Sequence, residues 1–149
     1  MHILITGAAG MLGRKVMSRL MRDGLAGREV STLTLVDVIV PEAPPGFTGP
    51  VDALAADLSA PGIAQRLIDG RPDVIFHLAA IVSGEAEADF DKGYRINLDS
   101  TRDLFDAIRR AHLADGYYPR VVFASSIAVM GAPLPFPIPD AFHTTPLTS

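Results

Sequence analysis

Short apolar runs alternate with stretches of helical periodicity along most of the chain. The apolar runs predict five buried strands, at residues 2–6, 32–38, 51–56, 73–80 and 120–125. Apolar positions three or four residues apart predict helices at residues 11–23 and 97–114, and a shorter helix is expected to open at Pro61. Prolines and glycines predict loops at residues 40–50 and from Gly131 onward.

The alternation of strands and helices predicts a parallel sheet with helices on both faces. The strands are almost continuously apolar, which is typical of strands buried on both faces. The predicted fold class is therefore α/β, a doubly wound parallel sheet. With the glycine turn and the family motifs described below, we expect the Rossmann type, with strand order 3-2-1-4-5. A chain of 149 residues is long enough for one such domain with a sizeable core.

Composition narrows the classes of function. A net charge of −4 gives no indication of a nucleic-acid or membrane-surface partner. The absence of cysteine from the sequence excludes disulfides, thiolate metal sites and a cysteine nucleophile. No apolar run approaches the length of a membrane span, and the first residues lack the pattern of a signal peptide, so a cytoplasmic protein is expected.

The stretch LITGAAGMLGRKV, residues 4–16, carries glycines at the turn from the first strand to the first helix. Unpaired amides and the helix dipole make such a helix start a site for a pyrophosphate. Gly7 would allow the tight turn, Gly10 the close approach of the ligand, and Gly13 the close packing of helix on strand. A glycine-rich turn that binds no ligand is the alternative interpretation.

Asp37 ends the second predicted strand. A carboxylate there can accept hydrogen bonds from both ribose hydroxyls of an adenosine and would repel a 2′-phosphate. The next residues, Val38 and Ile39, offer no arginine for such a phosphate, so the expected cofactor is NAD and not NADP. The alternative for Asp37 is an ordinary polar strand end.

Five motifs resemble those of the extended short-chain dehydrogenase/reductases, in the order and spacing of that family: TGAAGMLG, ADLS, DVIFHLAA, INLDSTRDLFDAIR and VVFASSIAVMG. The family includes nucleotide-sugar epimerases and dehydratases. The segments that begin AAIVSGEAEADF and SSIAVMGAPLPF look most like a subgroup of sugar-acid dehydrogenases. This resemblance implies NAD-dependent oxidation of the C2 hydroxyl of D-erythronate, or of a similar small sugar acid, to the 2-oxo acid.

The resemblance also implies a role for individual residues along the cofactor. Those expected at the pyrophosphate are Gly7, Ala9, Gly10, Met11 and Leu12. Those expected beside the adenosine are Asp37, Asp57 and Leu58. Those expected under the dinucleotide after the fourth strand are Leu78, Ala79 and Ala80.

Two further polar residues flank this predicted site. The resemblance implies that Asn97 braces the active-site strand as part of the cofactor site, whereas the residue by itself is typical of a helix N-cap. His77 begins the segment under the cofactor, and the better interpretation is a packed histidine with a satisfied ring.

Serines supply the candidate catalytic and substrate groups. Ser126 occupies the position of the family's catalytic serine after Ser125, and its hydroxyl would hold the substrate oxygen during hydride transfer. The alternative for this pair is a helix cap or turn. Ser83 is expected to face the substrate, or else to lie in an exposed loop. Met130 stands where relatives usually carry tyrosine, which puts the usual sugar-nucleotide fit in doubt. Four acidic residues follow Ser83 and predict a solvated helix start, not a metal site: Glu85, Glu87, Asp89 and Asp91.

The family's catalytic Tyr-x-x-x-Lys pair does not occur in this sequence, because no tyrosine has a lysine four positions later. The expectation is therefore that residues 1–149 are an incomplete NAD-binding domain, the N-terminal part of a longer enzyme, inactive alone and poorly soluble because the fifth strand is an open edge. The alternatives are a nucleotide-sugar epimerase or dehydratase, and a non-catalytic NAD-binding regulatory module. A small-molecule substrate is the expected partner, and a homodimer is a further expectation from the family.

Overall fold

A computed structural model describes residues 1–147, without the side chain of Ser83. Its sheet has the predicted parallel order β3-β2-β1-β4-β5. The strands are β1 His2–Thr6, β2 Thr32–Asp37, β3 Val51–Ala55, β4 Val74–His77 and β5 Arg120–Phe123. The α-helices are α1 Met11–Asp23, α2 Ile63–Asp69, α3 Ser83–Ala88, α4 Phe90–Gly93 and α5 Ser100–Asp115. A π-helix, Tyr94–Asp99, joins α4 to α5, and a 3-10 turn, Ile127–Met130, follows β5. No helix in this described range has the length and apolar composition to cross a membrane.

Adjacent residues of β1 pack into two different hydrophobic cores, because successive side chains of a strand point to opposite faces of the sheet. Ile3 and Ile5 pack on the face covered by α1, together with Leu20. Leu4 lies on the other face, where it packs with Leu104 of α5. All three β1 side chains are fully buried, so the central strand is enclosed on both faces as its continuous apolar sequence predicts.

Three strands end one or two residues earlier than predicted, β2 at Asp37, β3 at Ala55 and β5 at Phe123. Three larger differences concern β4, the short helix and the long helix. β4 ends at His77 and not at residue 80, because the chain leaves the sheet there and lines a cavity. The short helix begins at Ile63, after Gly62 in the left-handed conformation with φ 85°, and not at Pro61. The long helix predicted from residue 97 is preceded by helical turns from Phe90 onward. Asn97 therefore lies inside the π-helix and is not an N-cap.

In the described residues, β5 pairs only with β4 and forms one edge of the sheet. Its last residue, Phe123, has 53% of its surface exposed. This is the edge that the sequence predicts. The poor solubility expected from it stays a prediction.

Candidate dinucleotide site

The glycine turn between β1 and α1 has no room for side chains at two of its three glycines. Gly7 has φ +70°, and a Cβ added there would lie 2.8 Å from the backbone nitrogen of Ala79. A Cβ at Gly13 would lie 2.3 Å from the Gly7 carbonyl oxygen and 2.7 Å from the Ala8 Cα. The predicted tight turn at Gly7 and close packing at Gly13 are therefore confirmed.

The start of α1 is open to a ligand. Gly10 is its N-cap residue and has φ −71°, with no side chain capping the helix. Helix amides without such a cap are available to an anion. Met11 and Leu12 follow with 62% and 52% of their surfaces exposed. A ligand seated on the turn would cover this apolar surface.

Asp37 lies at the glycine turn because β1 and β2 end side by side. The backbone N–H of Ala9 donates to Asp37 Oδ2 at 2.9 Å, and the N–H of Val38 donates to Oδ1 at 2.7 Å. Each carboxylate oxygen has a second lone pair, so two further donors can be accepted. The carboxylate thus fits the predicted pair of ribose hydroxyls while it also holds the turn.

Asp57 and Leu58, the predicted adenine neighbours, lie just beyond β3. Asp57 Oδ1 accepts hydrogen bonds from the Ser59 hydroxyl at 2.6 Å and from the Ser59 backbone N–H at 2.8 Å. The Ser59 hydroxyl contributes most to lowering the pKa of Asp57 below its ordinary value, so this carboxyl is ionised at neutral pH. Leu58 packs partly buried against the core that α2 and α5 cover.

A cavity of about 590 Å³ lies at the carboxyl ends of β4 and β5. This is the edge where ligands bind in open α/β sheets. The cavity brings together several residues predicted from widely separated parts of the sequence: Leu12, Leu78, Ala79, Ala80, Asn97 and Ser126. Asp37 and Asp57 lie outside it, towards β2 and β3.

A second cavity of about 680 Å³ lies at the opposite ends of the strands. Residues 27–31, which precede β2, and residues 45–49, which precede β3, form much of its lining. None of the predicted site residues lines it, and the amino ends of parallel strands are not the usual ligand edge. We therefore place the candidate site at the carboxyl edge.

Asn97 braces the segment that follows β4. Its Nδ2 donates to the Ile81 carbonyl oxygen at 3.1 Å, and the Ile81 N–H donates to its Oδ1 at 2.9 Å. The N-cap interpretation is wrong, because the side chain is engaged across the chain and not with its own helix. A contact of Asn97 with the cofactor stays a prediction.

His77 is a packed histidine, as predicted. Only 2% of its surface is exposed, and both ring nitrogens lie within hydrogen-bond distance of threonine hydroxyls, those of Thr6 and Thr101. Burial lowers the pKa of His77 below its ordinary value. Neither threonine was predicted as a site residue from the sequence. Thr6 could have been found as a polar residue at the end of a buried strand, and Thr101 as the residue four positions after Asn97 on the same helical face.

Ser126, the candidate catalytic serine, both caps a turn and lines the cavity. Ser126 Oγ accepts a hydrogen bond from the Ala128 N–H at 3.1 Å, so the turn-capping interpretation is confirmed. The same residue lines the cavity beside Ser125, and its role towards substrate stays a prediction. The side chain of Ser83 lies outside the described part of the structure. Glu85 lies in the first turn of α3 and pairs with Lys92 at 2.5 Å.

A sequence model described as the NAD dependent epimerase/dehydratase family matches residues 3–149. The chain belongs to this family. The expectation of NAD as the cofactor is confirmed with it. The five motifs that carry the resemblance are therefore family motifs, and the parallel sheet is the family's nucleotide-binding fold.

The chain is similar both to dehydrogenases and to an epimerase. It is 42% identical to a D-erythronate dehydrogenase from Cupriavidus necator over 100% of this chain and 46% of the relative. It is 36% identical to a D-erythronate dehydrogenase from Haemophilus influenzae over 98% of this chain and 44% of the relative. A crystal structure described as a nucleoside-diphosphate-sugar epimerase from Agrobacterium tumefaciens is 73% identical, with a TM-score of 0.96, over 99% of this chain and 44% of that one. The chain thus spans less than half the length of these relatives.

The three tyrosines of the chain do not line the cavity. The Tyr117 hydroxyl donates to the Pro72 carbonyl oxygen at 2.6 Å, and burial raises the pKa of Tyr117 to about 12. Tyr94 stacks on Phe90, and Tyr118 has 86% of its surface exposed. Within the described residues, no tyrosine lines the cavity that holds Ser126.

Proposed function

We propose that this chain is the NAD-binding domain of an oxidoreductase that oxidises the C2 hydroxyl of D-erythronate, or of a similar small sugar acid, to the 2-oxo acid. The observation that carries the proposal is the meeting of three features at one sheet edge. These are the uncapped glycine turn, the Asp37 carboxylate beside it, and the cavity that Ser126 lines. The two D-erythronate dehydrogenases support the choice of substrate.

Ser126 is suited to hold the substrate oxygen. Because its Oγ accepts from the Ala128 N–H, the hydroxyl hydrogen is left to point elsewhere and can be donated into the cavity. Bound NAD would accept a hydride from the substrate carbon. The proton of the substrate hydroxyl needs a separate acceptor, which the family provides as a Tyr-x-x-x-Lys pair and this sequence does not contain.

A nucleotide-sugar epimerase or dehydratase is the second candidate. The description of the Agrobacterium tumefaciens protein, at 73% identity, favours it. Met130, which stands in place of the usual tyrosine, is the residue that argues against a typical sugar-nucleotide pocket. A non-catalytic NAD-binding module is the third candidate, and the absence of a Tyr-x-x-x-Lys pair from the complete gene product would favour it.

The substrate is tested by following NADH absorbance with the complete product of the reading frame that encodes this chain. NAD and D-erythronate together are expected to form NADH, whereas NADP with D-erythronate and NAD with a UDP-sugar are not. The expected ratio of NAD to NADP rates is at least about 10, since the Asp37 carboxylate opposes a 2′-phosphate. Turnover of the UDP-sugar without net NADH formation would replace this proposal by the epimerase.

A further inference from the structure

His77 joins three elements beneath the cavity. Its Nδ1 lies 2.8 Å from the hydroxyl of Thr6, at the end of β1. Its Nε2 lies 2.9 Å from the hydroxyl of Thr101, in α5. The proposed reaction gives this buried imidazole no role, although His77 lines the cavity together with the next residues along the chain.

The other partners of the two threonines decide which ring nitrogen carries the hydrogen. The Thr101 hydroxyl donates to the Asn97 carbonyl oxygen at 2.9 Å, so its oxygen accepts at the imidazole and Nε2 carries the hydrogen. The Thr6 hydroxyl oxygen accepts the Ala79 N–H at 3.3 Å and shares the Leu78 N–H, at 3.2 Å, with the Thr6 carbonyl oxygen. Its own hydrogen therefore points to the unprotonated Nδ1 of His77.

The other neutral tautomer does not fit these contacts. A hydrogen on Nδ1 would add a donor to a Thr6 hydroxyl oxygen that already faces the N–H groups of Ala79 and Leu78, and it would leave the Thr6 hydrogen without the ring nitrogen as acceptor. An unprotonated Nε2 would compete with the Asn97 carbonyl for the single hydrogen of Thr101. Only the Nε2–H form of His77 satisfies every contact at once.

These hydrogen bonds close into a ring around the wall of the cavity. Thr6 holds the start of the wall segment, residues 78–81, through the Ala79 N–H. Asn97 holds its end through both backbone groups of Ile81. His77 and Thr101 connect the two anchors, so the segment is fixed at both ends by one network.

We propose that His77, in its neutral Nε2–H form, is a positioning residue. It holds the backbone of residues 78–81 in the position in which this segment binds the dinucleotide. The inference rests on the proposed binding of NAD at this edge. It concerns a residue that lines the cavity beside Leu78 and acts through the hydrogen bonds by which its ring is tied to Thr6 and Thr101. A segment held in place before binding loses less conformational freedom when NAD arrives, which favours affinity.

Protonation of His77 would break the ring, because Nδ1 would become a donor facing a hydroxyl that already accepts two hydrogen bonds. The side chains against the imidazole are Thr6 of β1, Thr101 of α5 and Phe123 of β5, whose ring centroid is 5.7 Å away. None of these is charged. Since burial lowers the pKa of His77, the network is expected to persist below the pH at which an exposed histidine titrates.

The tautomer is measured by long-range proton–nitrogen NMR on the full chain with labelled histidine. The sequence has four histidines, and the His77→Gln variant assigns the signal of this one by its loss. We expect the neutral Nε2–H pattern at pH 7, and a titration of His77 that occurs at lower pH than the titration of an exposed histidine, because burial lowers its pKa. A hydrogen on Nδ1, or titration near the ordinary pKa, would overturn the assignment.

The positioning role is measured by calorimetric titration of NAD into threonine variants. Thr101 also lines the cavity, so Thr101→Val is paired with Thr6→Val, which removes the other partner of the imidazole without changing the cavity lining. Each variant is expected to raise the dissociation constant of NAD about 5- to 20-fold, while Thr101→Ser restores it to within about twofold. Thr34→Val is the matched control, because Thr34 makes the same kind of hydrogen bond to His2, at 2.9 Å, away from the site. It is expected to leave NAD affinity unchanged.

The outcomes separate this inference from the function on which it rests. If the unaltered chain binds no NAD, the proposed function fails, and the NMR signal still decides the tautomer. If the chain binds NAD and Thr101→Val weakens binding no more than Thr34→Val does, the positioning role is wrong although the cofactor site stands.

Discussion

Replacing Gly13 by alanine is expected to remove NAD binding and to destabilise the chain by about 3 kcal/mol. The added Cβ would meet three backbone atoms closer than contact distance: the Gly7 carbonyl oxygen at 2.3 Å, the Ala8 Cα at 2.7 Å and the Ala8 carbonyl oxygen at 2.8 Å. Backbone atoms cannot rotate away as a flexible side chain can, so α1 must move off the turn. That movement would also displace the helix amides that are expected to meet the pyrophosphate.

Thermal unfolding and NAD titration measure the two parts of this expectation. A loss of about 3 kcal/mol lowers the melting temperature of a chain of this size by about 6–12 °C. Gly84→Ala is the control, because Gly84 lies in α3 and a Cβ there meets no described atom within 4 Å. That variant should be neutral or slightly stabilising, since alanine favours a helix over glycine by about 1 kcal/mol. Native stability and affinity in Gly13→Ala would show that the turn is not packed as described.

Replacing Asp37 by asparagine is expected to weaken NAD binding about 10- to 100-fold, because charge-assisted hydrogen bonds to the ribose hydroxyls are lost. In asparagine, an NH2 group replaces one of the two carboxylate oxygens. That group would face the backbone N–H of Ala9 or of Val38, so two donors would meet where Asp37 accepts a hydrogen bond. The discrimination against NADP should fall in the same variant, since the charge that repels a 2′-phosphate is gone.

Affinities for NAD and NADP, measured on the same preparations, test this expectation. Asp52→Asn in β3 is the control, because it removes one exposed carboxylate from the adjacent strand without touching the turn. It should change neither affinity by more than about twofold. An Asp37→Asn variant that binds NAD as tightly as the unaltered chain would remove Asp37 from the adenosine site.

The segment from β1 through α1 was predictable from sequence because its determinants are local. Continuous apolar residues, a turn glycine with positive φ and a following helical pattern all lie within residues 2–23, and the observed bounds match. The alternation of elements predicts only a parallel sheet, and the strand order was expected from the Rossmann type of that fold, with its glycine turn after the first strand. In these parts local preference and tertiary packing point to the same structure.

The region around Asn97 was not predictable in the same way because it depends on contacts between distant parts of the chain. The π-helix Tyr94–Asp99 places Asn97 where it can bond to Ile81, which no local propensity encodes. β4 likewise ends early because residues 78–81 are held by side chains from β1 and the π-helix. The sequence could thus name His77 and Asn97 as candidates, but not the threonines that connect them.

Proton–nitrogen NMR of the labelled full chain during titration with NAD shows whether the dinucleotide binds at the carboxyl edge of the sheet. We expect saturable shifts in the amides of residues 9–12, of Val38 and of residues 78–81. The cavity at the opposite edge, formed in part by residues 27–31 and 45–49, should remain unchanged. Shifts confined to that opposite cavity, or no saturable shift at the glycine turn, would contradict the assignment of this edge as the dinucleotide site.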